Sequence, residues 1–355
     1  MKKIALFSFY SGVVDRGVET FAYEISKRLA LNNHVTIICA GKIPPQKYKV
    51  KTIKTWANQP KSSKGITGKF YLDLQSIKIA IFTIRALRYL SREKYDIVIP
   101  LNGGWQVVIL KVFSKLLKYK MLVSGHAGIG TDDAWNLLWR PDVFVALTTA
   151  QASWAKRLTH EVKLEKIPNG VDLHRFNPKI KPESIPLPKP IVVCASALVP
   201  YKKVDLTIRA VAKAGNLSLL ILGDGELKGS IDSLGKRLLG KRYLRLTVPY
   251  SKISGYYKGA DVFTLASQTE AFGISYVEAM ACNLPVVTTK DTSRAEIVGE
   301  AGILVSTTNL NRYSKALKFA VKKDFKNKPY AQSLKFSWNN VGDAYENLIN
   351  SLSQK

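Results

Sequence analysis

Two glutamates eight residues apart, Glu270 and Glu278, bracket a glycine in Glu270-Ala-Phe-Gly-Ile-Ser-Tyr-Val-Glu278, which runs on into Ala-Met-Ala-Cys-Asn-Leu-Pro-Val-Val287. A carboxylate accepts hydrogen bonds from paired hydroxyls, so residues of this type suit a polyhydroxylated ligand such as a ribose or a hexose. At roughly 100° per residue the two do not share one helix face, which gives them different tasks. Glu278 is placed to hold ribose hydroxyls and Glu270 to reach hydroxyls of a sugar. Between them, Phe272, Gly273, Ile274 and Ser275 form a turn and a helix start. Free backbone N–H groups and the helix dipole favour a phosphate there, and Gly273 permits close approach. A plainer alternative is that Ser275-Tyr-Val-Glu278 is a helix capping box and Glu270 a solvated loop residue.

A diphosphate also needs cations. Lys202, in the loop after the apolar run Ile191–Ala195, is the first candidate, and Lys203 is placed to assist. Gly223-Asp-Gly225 follows Leu217–Leu222 but is not a dinucleotide fingerprint, since no third glycine follows at the required spacing. The three cysteines, Cys39, Cys194 and Cys282, lie far apart in or beside apolar runs, which predicts buried thiols. The four histidines show no ligand spacing, so no structural metal is expected.

The elements that must position these residues follow a regular alternation. Ile4–Tyr10, Glu19–Leu31, His34–Ala40, Ile97–Leu101, 106–119, Lys120–Ser124 and Val143–Leu147 read as strand, helix, strand and so on, the texture of parallel β-α-β units. A proline-rich stretch, Asn177–Pro190, interrupts it. The alternation restarts at Ile191–Ala195 and continues through Val204–Ala214, Leu217–Leu222, Leu244–Val248, Asp261–Ala266 and Val286–Thr288. The expected fold class is α/β, with two Rossmann-like domains whose parallel sheets face each other across a cleft. The expected division is 1–172, a linker at 173–190, 191–335, and a terminal amphipathic helix within 336–355.

These segments together resemble the retaining glycosyltransferases of family 4, with the GT-B fold. Glu270 to Val287 is similar to the family's E-x7-E segment, Ile167-Pro-Asn-Gly-Val-Asp172 with Phe176 to its segment before the linker, Leu198-Val-Pro-Tyr-Lys202-Lys-Val-Asp205 to its phosphate loop, and Leu222-Gly-Asp-Gly-Glu226 to its next strand end. The resemblance covers nearly the whole chain. It implies a hexose moved, with retention, from a GDP- or UDP-linked nucleotide-sugar to a hydroxyl of a glycan or lipid-linked acceptor. It further implies that Glu270 and Glu278 clamp the donor, that His126 after Lys120–Ser124 contacts the transferred sugar, and that Gly223 lines the nucleotide pocket. Val248 is placed near the base and Gly17, in Arg16-Gly17-Val-Glu19, near the donor phosphates. Asp132 and Asp133 are candidate acceptor binders. No cofactor or metal is implied beyond the donor substrate. The terminal helix, marked by Trp338, is expected to return to the N-terminal domain. The sequence departs from the family where an arginine often precedes the leucine, having Ser196-Ala197-Leu198; lysine cannot copy arginine's bidentate phosphate contact. Alternatives are a sugar-nucleotide epimerase of the same fold or a non-enzymatic polyanion-binding protein.

The second alternative rests on charge. The formal net charge is +28, and both halves share it: residues 1–170 carry 27 Lys+Arg against 11 Asp+Glu, and 171–355 carry 27 against 15. With no nucleic-acid signature, binding to polyanions would be non-specific. Lysines from Lys42 to Lys69, and Lys111, Lys115 and Lys118 at helical spacing, instead suggest an anionic membrane surface. No uncharged run reaches the roughly 20 residues of a spanning helix, since 71–90 is broken by Asp73, Lys78, Arg85 and Arg88. The N-terminal apolar run lacks a cleavage site, so the expected location is cytoplasmic, with peripheral contact to the inner face of the cell membrane.

Overall fold

The computed structural model describes residues 1–14, 17–56 and 71–352. The chain divides into two compact units, Met1–Asn169 with Trp338–Lys355, and Gly170–Ser337.

The first unit is built on a seven-stranded sheet: β1 (Lys3–Ser8), β2 (His34–Cys39), β3 (Lys49–Thr52), β4 (Ile97–Pro100), β5 (Lys120–Ser124), β6 (Val143–Ala146) and β7 (Lys163–Lys166). The order is β3-β2-β1-β4-β5-β6-β7, with every neighbouring pair parallel. The central strands are continuously apolar because helices cover both faces. On one face, α1 (Gly17–Leu29) meets a helix from the far end of the chain, and Phe21, Ile25, Trp338 and Tyr345 share one buried cluster. On the other, α2 (Leu74–Glu93), α3 (Gly104–Leu117), α4 (Thr131–Leu138) and α5 (Thr149–Leu158) cover Phe7, Val98, Met121 and Phe144.

The second unit repeats the scheme with six strands: β8 (Ile191–Ala195), β9 (Ser218–Leu222), β10 (Tyr243–Leu246), β11 (Val262–Leu265), β12 (Val286–Thr289) and β13 (Gly302–Val305). Their order, β10-β9-β8-β11-β12-β13, is again all parallel. Its helices are α6 (Val204–Ala214), α7 (Lys228–Leu239), α8 (Ile253–Gly259), α9 (Ile274–Ala281), α10 (Thr292–Val298), α11 (Leu310–Lys322) and α12 (Lys328–Ser333). The last, α13 (Trp338–Ser351), belongs to the first unit, where the Tyr345 hydroxyl lies 2.9 Å from that of Ser124.

In both sheets the strand order reverses beside the first strand, between β1 and β4 and between β8 and β11. Such a switch point opens a crevice at the carboxyl ends of the strands, where loops diverge to either side. The stretch read as the linker carries no helix or strand, and it is docked within the second unit. The Glu183 amide donates to the Gly255 carbonyl at 3.0 Å, and Gly259 leaves room for the Glu183 carbonyl and Ile185. All three cysteines are free and buried, and burial pushes the Cys194 and Cys282 thiols up to about 12.

Candidate active site

The loops after β8 and β11 border the switch point of the second unit, and there Lys202 and Glu270 meet. The Lys202 ammonium donates to Glu270 Oε1 at 2.6 Å, with side chains only 16% and 11% exposed. Lys202 ends a short 3-10 turn, Pro200–Lys202, and Lys203 adopts a left-handed conformation (φ 49°) that starts α6. An ammonium has three N–H groups, so the pair leaves two for a further acceptor.

Glu270 lies on the turn that links β11 to α9. Gly273, at φ 87°, ends that turn and precedes α9 without any side-chain cap, so the amides of Ile274 and Ser275 are not claimed by a capping group. The glycine is required twice: by its positive φ, and by the Tyr276 ring, which a Cβ would meet at 2.3 Å. The capping-box alternative therefore does not describe this helix. Ser275 lies inside α9, not at its cap, and the Glu278 carboxylate accepts from tyrosine hydroxyls, not from a cap amide.

Glu278 accepts from the Tyr250 hydroxyl at 2.5 Å and from the Tyr257 hydroxyl at 3.4 Å. Burial pushes its pKa up to about 7, while both hydroxyls and the nearby Arg175 pull it down. Arg175 lies over the Tyr250 ring, 4.8 Å from its centre, and Phe176 packs against both tyrosines. The segment that carries Phe176 thus forms the back wall of the Glu278 site. Phe272, expected near the donor, has its ring buried edge-to-face against Phe336 at 5.5 Å, leaving only its backbone for a ligand.

Gly223 and Gly225 fit the β9 turn against the β8 loop. A Cβ at Gly223 would lie 2.0 Å from the Ser196 carbonyl oxygen, and one at Gly225 2.6 Å from that of Leu198. These glycines set the spacing of the loop that ends in Lys202. Val248 lies two residues past β10 and is half-buried. Arg294 was not singled out in the sequence. Its buried guanidinium donates to the Ser267 carbonyl at 2.9 Å and to the Tyr276 hydroxyl at 3.2 Å, and it pairs with Asp291. It thereby ties the turn carrying Glu270 to the tyrosine beneath Gly273.

In the first unit, His126 follows β5 and lies against Phe21, ring centres 4.4 Å apart. Its Nε2 is buried without a partner among the described residues, and burial pulls its pKa down to about 4. It is a neutral imidazole at pH 7. Asp133 corrects an expectation. Instead of facing an acceptor it is 1% exposed and accepts from the Gly128 amide, Asn136 and Gln151 at 2.9–3.1 Å. It anchors the His126 loop, and the exposed neighbour Asp132 accepts from the Tyr71 hydroxyl at 2.7 Å. Gly17 opens α1, and Arg16 lies outside the described residues. Among the described residues no group of three or more His, Cys, Asp or Glu side chains is gathered for a metal. A cavity of about 370 Å³ bordered by Lys3, His34 and Glu93 is at the amino ends of β1 and β2, whereas the His126 loop leaves the carboxyl end of β5.

Two doubly wound units, one with paired glutamates and lysines at its switch point, define the GT-B fold, and solved structures bear this out. Sucrose-phosphate synthase from Thermosynechococcus elongatus superposes with a TM-score of 0.79 over 99% of both chains at 17% identity. Anabaena HepE, solved with UDP and glucose, gives 0.77 over 99% of this chain and all of that one, also at 17% identity. Residues 176–335 match the glycosyl transferases group 1 family and residues 16–175 match glycosyltransferase family 4. The chain belongs to the group 1 glycosyltransferases of family 4. A GDP-mannose-dependent phosphatidylinositol monomannoside mannosyltransferase of Mycolicibacterium smegmatis is 30% identical over 175 residues, 43% of this chain and 46% of that protein. A D-inositol 3-phosphate glycosyltransferase of an Arthrobacter species is 30% identical over 161 residues, 40% and 38% of the two chains. Both matches span less than half of either protein's length.

Proposed function

We propose that the protein transfers a hexose, with retention, from a GDP- or UDP-linked sugar to a hydroxyl of a glycan or lipid-linked acceptor. The observation that carries this reading is the Lys202–Glu270 pair beside the uncapped start of α9, with Glu278 one turn further on. Each part suits one part of a nucleotide-sugar. Glu278 takes the ribose hydroxyls, Lys202, Lys203 and the α9 amides take the diphosphate, and Glu270 takes hydroxyls of the hexose. In the first unit, His126, a neutral imidazole with an unclaimed nitrogen, is assigned to sugar-hydroxyl contact by the family resemblance alone.

In the reaction, the bond from the anomeric carbon to the diphosphate breaks, an acceptor oxygen replaces it, and the acceptor's hydroxyl proton passes to the departing diphosphate. Negative charge grows on the diphosphate, and fixed donors aimed at it lower the barrier without reorganising. The lysines and amides do this from one side. Two nearby carboxylates are the arrangement of a hydrolase, with one as nucleophile and one as acid. Here Glu270 is engaged by Lys202 and Glu278 by two tyrosines, which suits hydroxyl binding better. The names of the relatives favour GDP-mannose among donors and lipid-linked inositol or glycan among acceptors.

Incubation with radiolabelled GDP- and UDP-sugars, with and without a lipid extract, tests the reading. Label is expected to pass from one donor to an extractable acceptor. If no nucleotide binds and no sugar is released or transferred, the proposal fails.

A further inference from the structure

No helix among the described residues is long and apolar enough to cross a membrane, yet one face of the first unit exposes aliphatic and basic side chains together. On α2, the side turned away from the sheet carries Ile77, Ile81 and Ile84, exposed by 44%, 37% and 56%. Their spacing of four and three residues makes a continuous aliphatic stripe, opposite the buried Phe82, Ala86 and Leu90. Arg88 and Arg92 continue the stripe. On the adjacent α3, Val112 and Leu116 are 63% and 73% exposed, with Lys115 between them also exposed. Both helices bury their inner sides in the same cluster on one face of the sheet, so their outer sides open on the same solvent.

Scattered exposed aliphatics are ordinary, but a contiguous set on neighbouring helices marks an interaction surface. The charge of the surface identifies the partner. Residues 74–92 and 97–131 contain no Asp or Glu at all, while α2 and α3 present Arg85, Arg88, Arg92 and Lys115. An acidic lipid surface complements such cations, and the branched side chains between them reach the acyl boundary. The lysine cluster first suspected from the sequence contributes less. Lys111 is half-buried and lies 3.8 Å from the Asp142 carboxylate, and part of the lysine-rich stretch lies outside the described residues.

We infer that the outer faces of α2 and α3 dock the protein on an anionic bilayer through inserted isoleucines framed by arginine and lysine. The inference rests on this face alone and stands or falls apart from the donor site.

The test is flotation of the full chain with phosphatidylcholine vesicles containing or lacking phosphatidylglycerol, at low and high salt. Wild type should float with the anionic vesicles and not with the neutral ones. Ile81→Glu with Ile84→Glu, and separately Arg88→Glu with Lys115→Glu, should each reduce partition by about tenfold or more. Circular dichroism and thermal melting check that both variants fold. Should they not, Ile84→Cys carrying an environment-sensitive dye should shift to the blue on anionic vesicles, the native cysteines being buried. Wild-type partition by either double variant, equal binding to neutral vesicles, or no dye shift in the bound protein would overturn the inference. So would a dimer in sedimentation that the isoleucine variant dissociates, since a second copy would then be the occupant.

Discussion

Of the chemistry at Glu270 and Glu278, the sequence shows the acids but not their partners. A carboxylate, a glycine and a helix start are adjacent in the chain, so their association is legible. Tyr250, Tyr257 and Arg294 reach the same site from other elements, and for Tyr257 and Arg294 nothing in the local sequence announces it. Tyr250 alone had a signal, following Pro249 just past a strand end. Glu278 makes a pH prediction. Its folded pKa of about 7 exceeds its ordinary 4.5, so folding favours the protonated acid. Its stabilising contribution is full below about 4.5 and is lost as pH rises through about 7. Ribose hydroxyls donate to the ionised form, so nucleotide affinity should rise by about tenfold from pH 6 to pH 8. Calorimetric titration at the two pH values should find that rise in wild type and its absence in Glu278→Gln. Glu270→Gln should separate binding from transfer: nucleoside diphosphate affinity within about threefold of wild type, and sugar transfer down by about a hundredfold or more.

Buried strands were legible, and of the four edge strands only β10, read as Leu244–Val248, was. Ile191–Ala195 and Lys120–Ser124 have the bounds expected from their apolar runs. β3 (KVKT) and β7 (KLEK) are half-buried edges whose lysines hide the pattern. Edge strands with lysine discourage pairing with other chains, so the same feature that protects the sheet obscured it in the sequence. The α2 stripe was hidden differently: its isoleucines look like core until the helix is seen to turn them outward. At this scale Gly273 is the most exacting position. Gly273→Ala forces a side chain into a positive φ and against Tyr276, which should cost about 1–3 kcal/mol. Thermal melting should drop by several degrees and nucleotide affinity should fall with it. A melting point and affinity equal to wild type would show that the turn tolerates a Cβ.

Over the whole molecule, two parallel α/β units were readable from alternation, whereas the strand order within each sheet and the exact assignment of segments to units were not. The proline-rich stretch lacks regular structure as expected, yet it is held by α8 in the second unit through backbone contacts that composition does not encode. The terminal helix was expected in the first unit from the family resemblance rather than from composition, and there Trp338, Val341 and Tyr345 complete a core begun by residues more than 300 positions earlier. Trp338→Ala should cost about 3–5 kcal/mol, read as an earlier unfolding transition in calorimetry. An unchanged thermogram would mean that α13 adds nothing to that core. The central claim is that Lys202 and its neighbours hold the diphosphate of a sugar donor. Titration calorimetry of GDP and UDP into the wild type and Lys202→Met tests it most directly. One nucleotide should bind at a single saturable site, with affinity at least about tenfold weaker in the variant; equal binding to both proteins, or no binding to either, would contradict it.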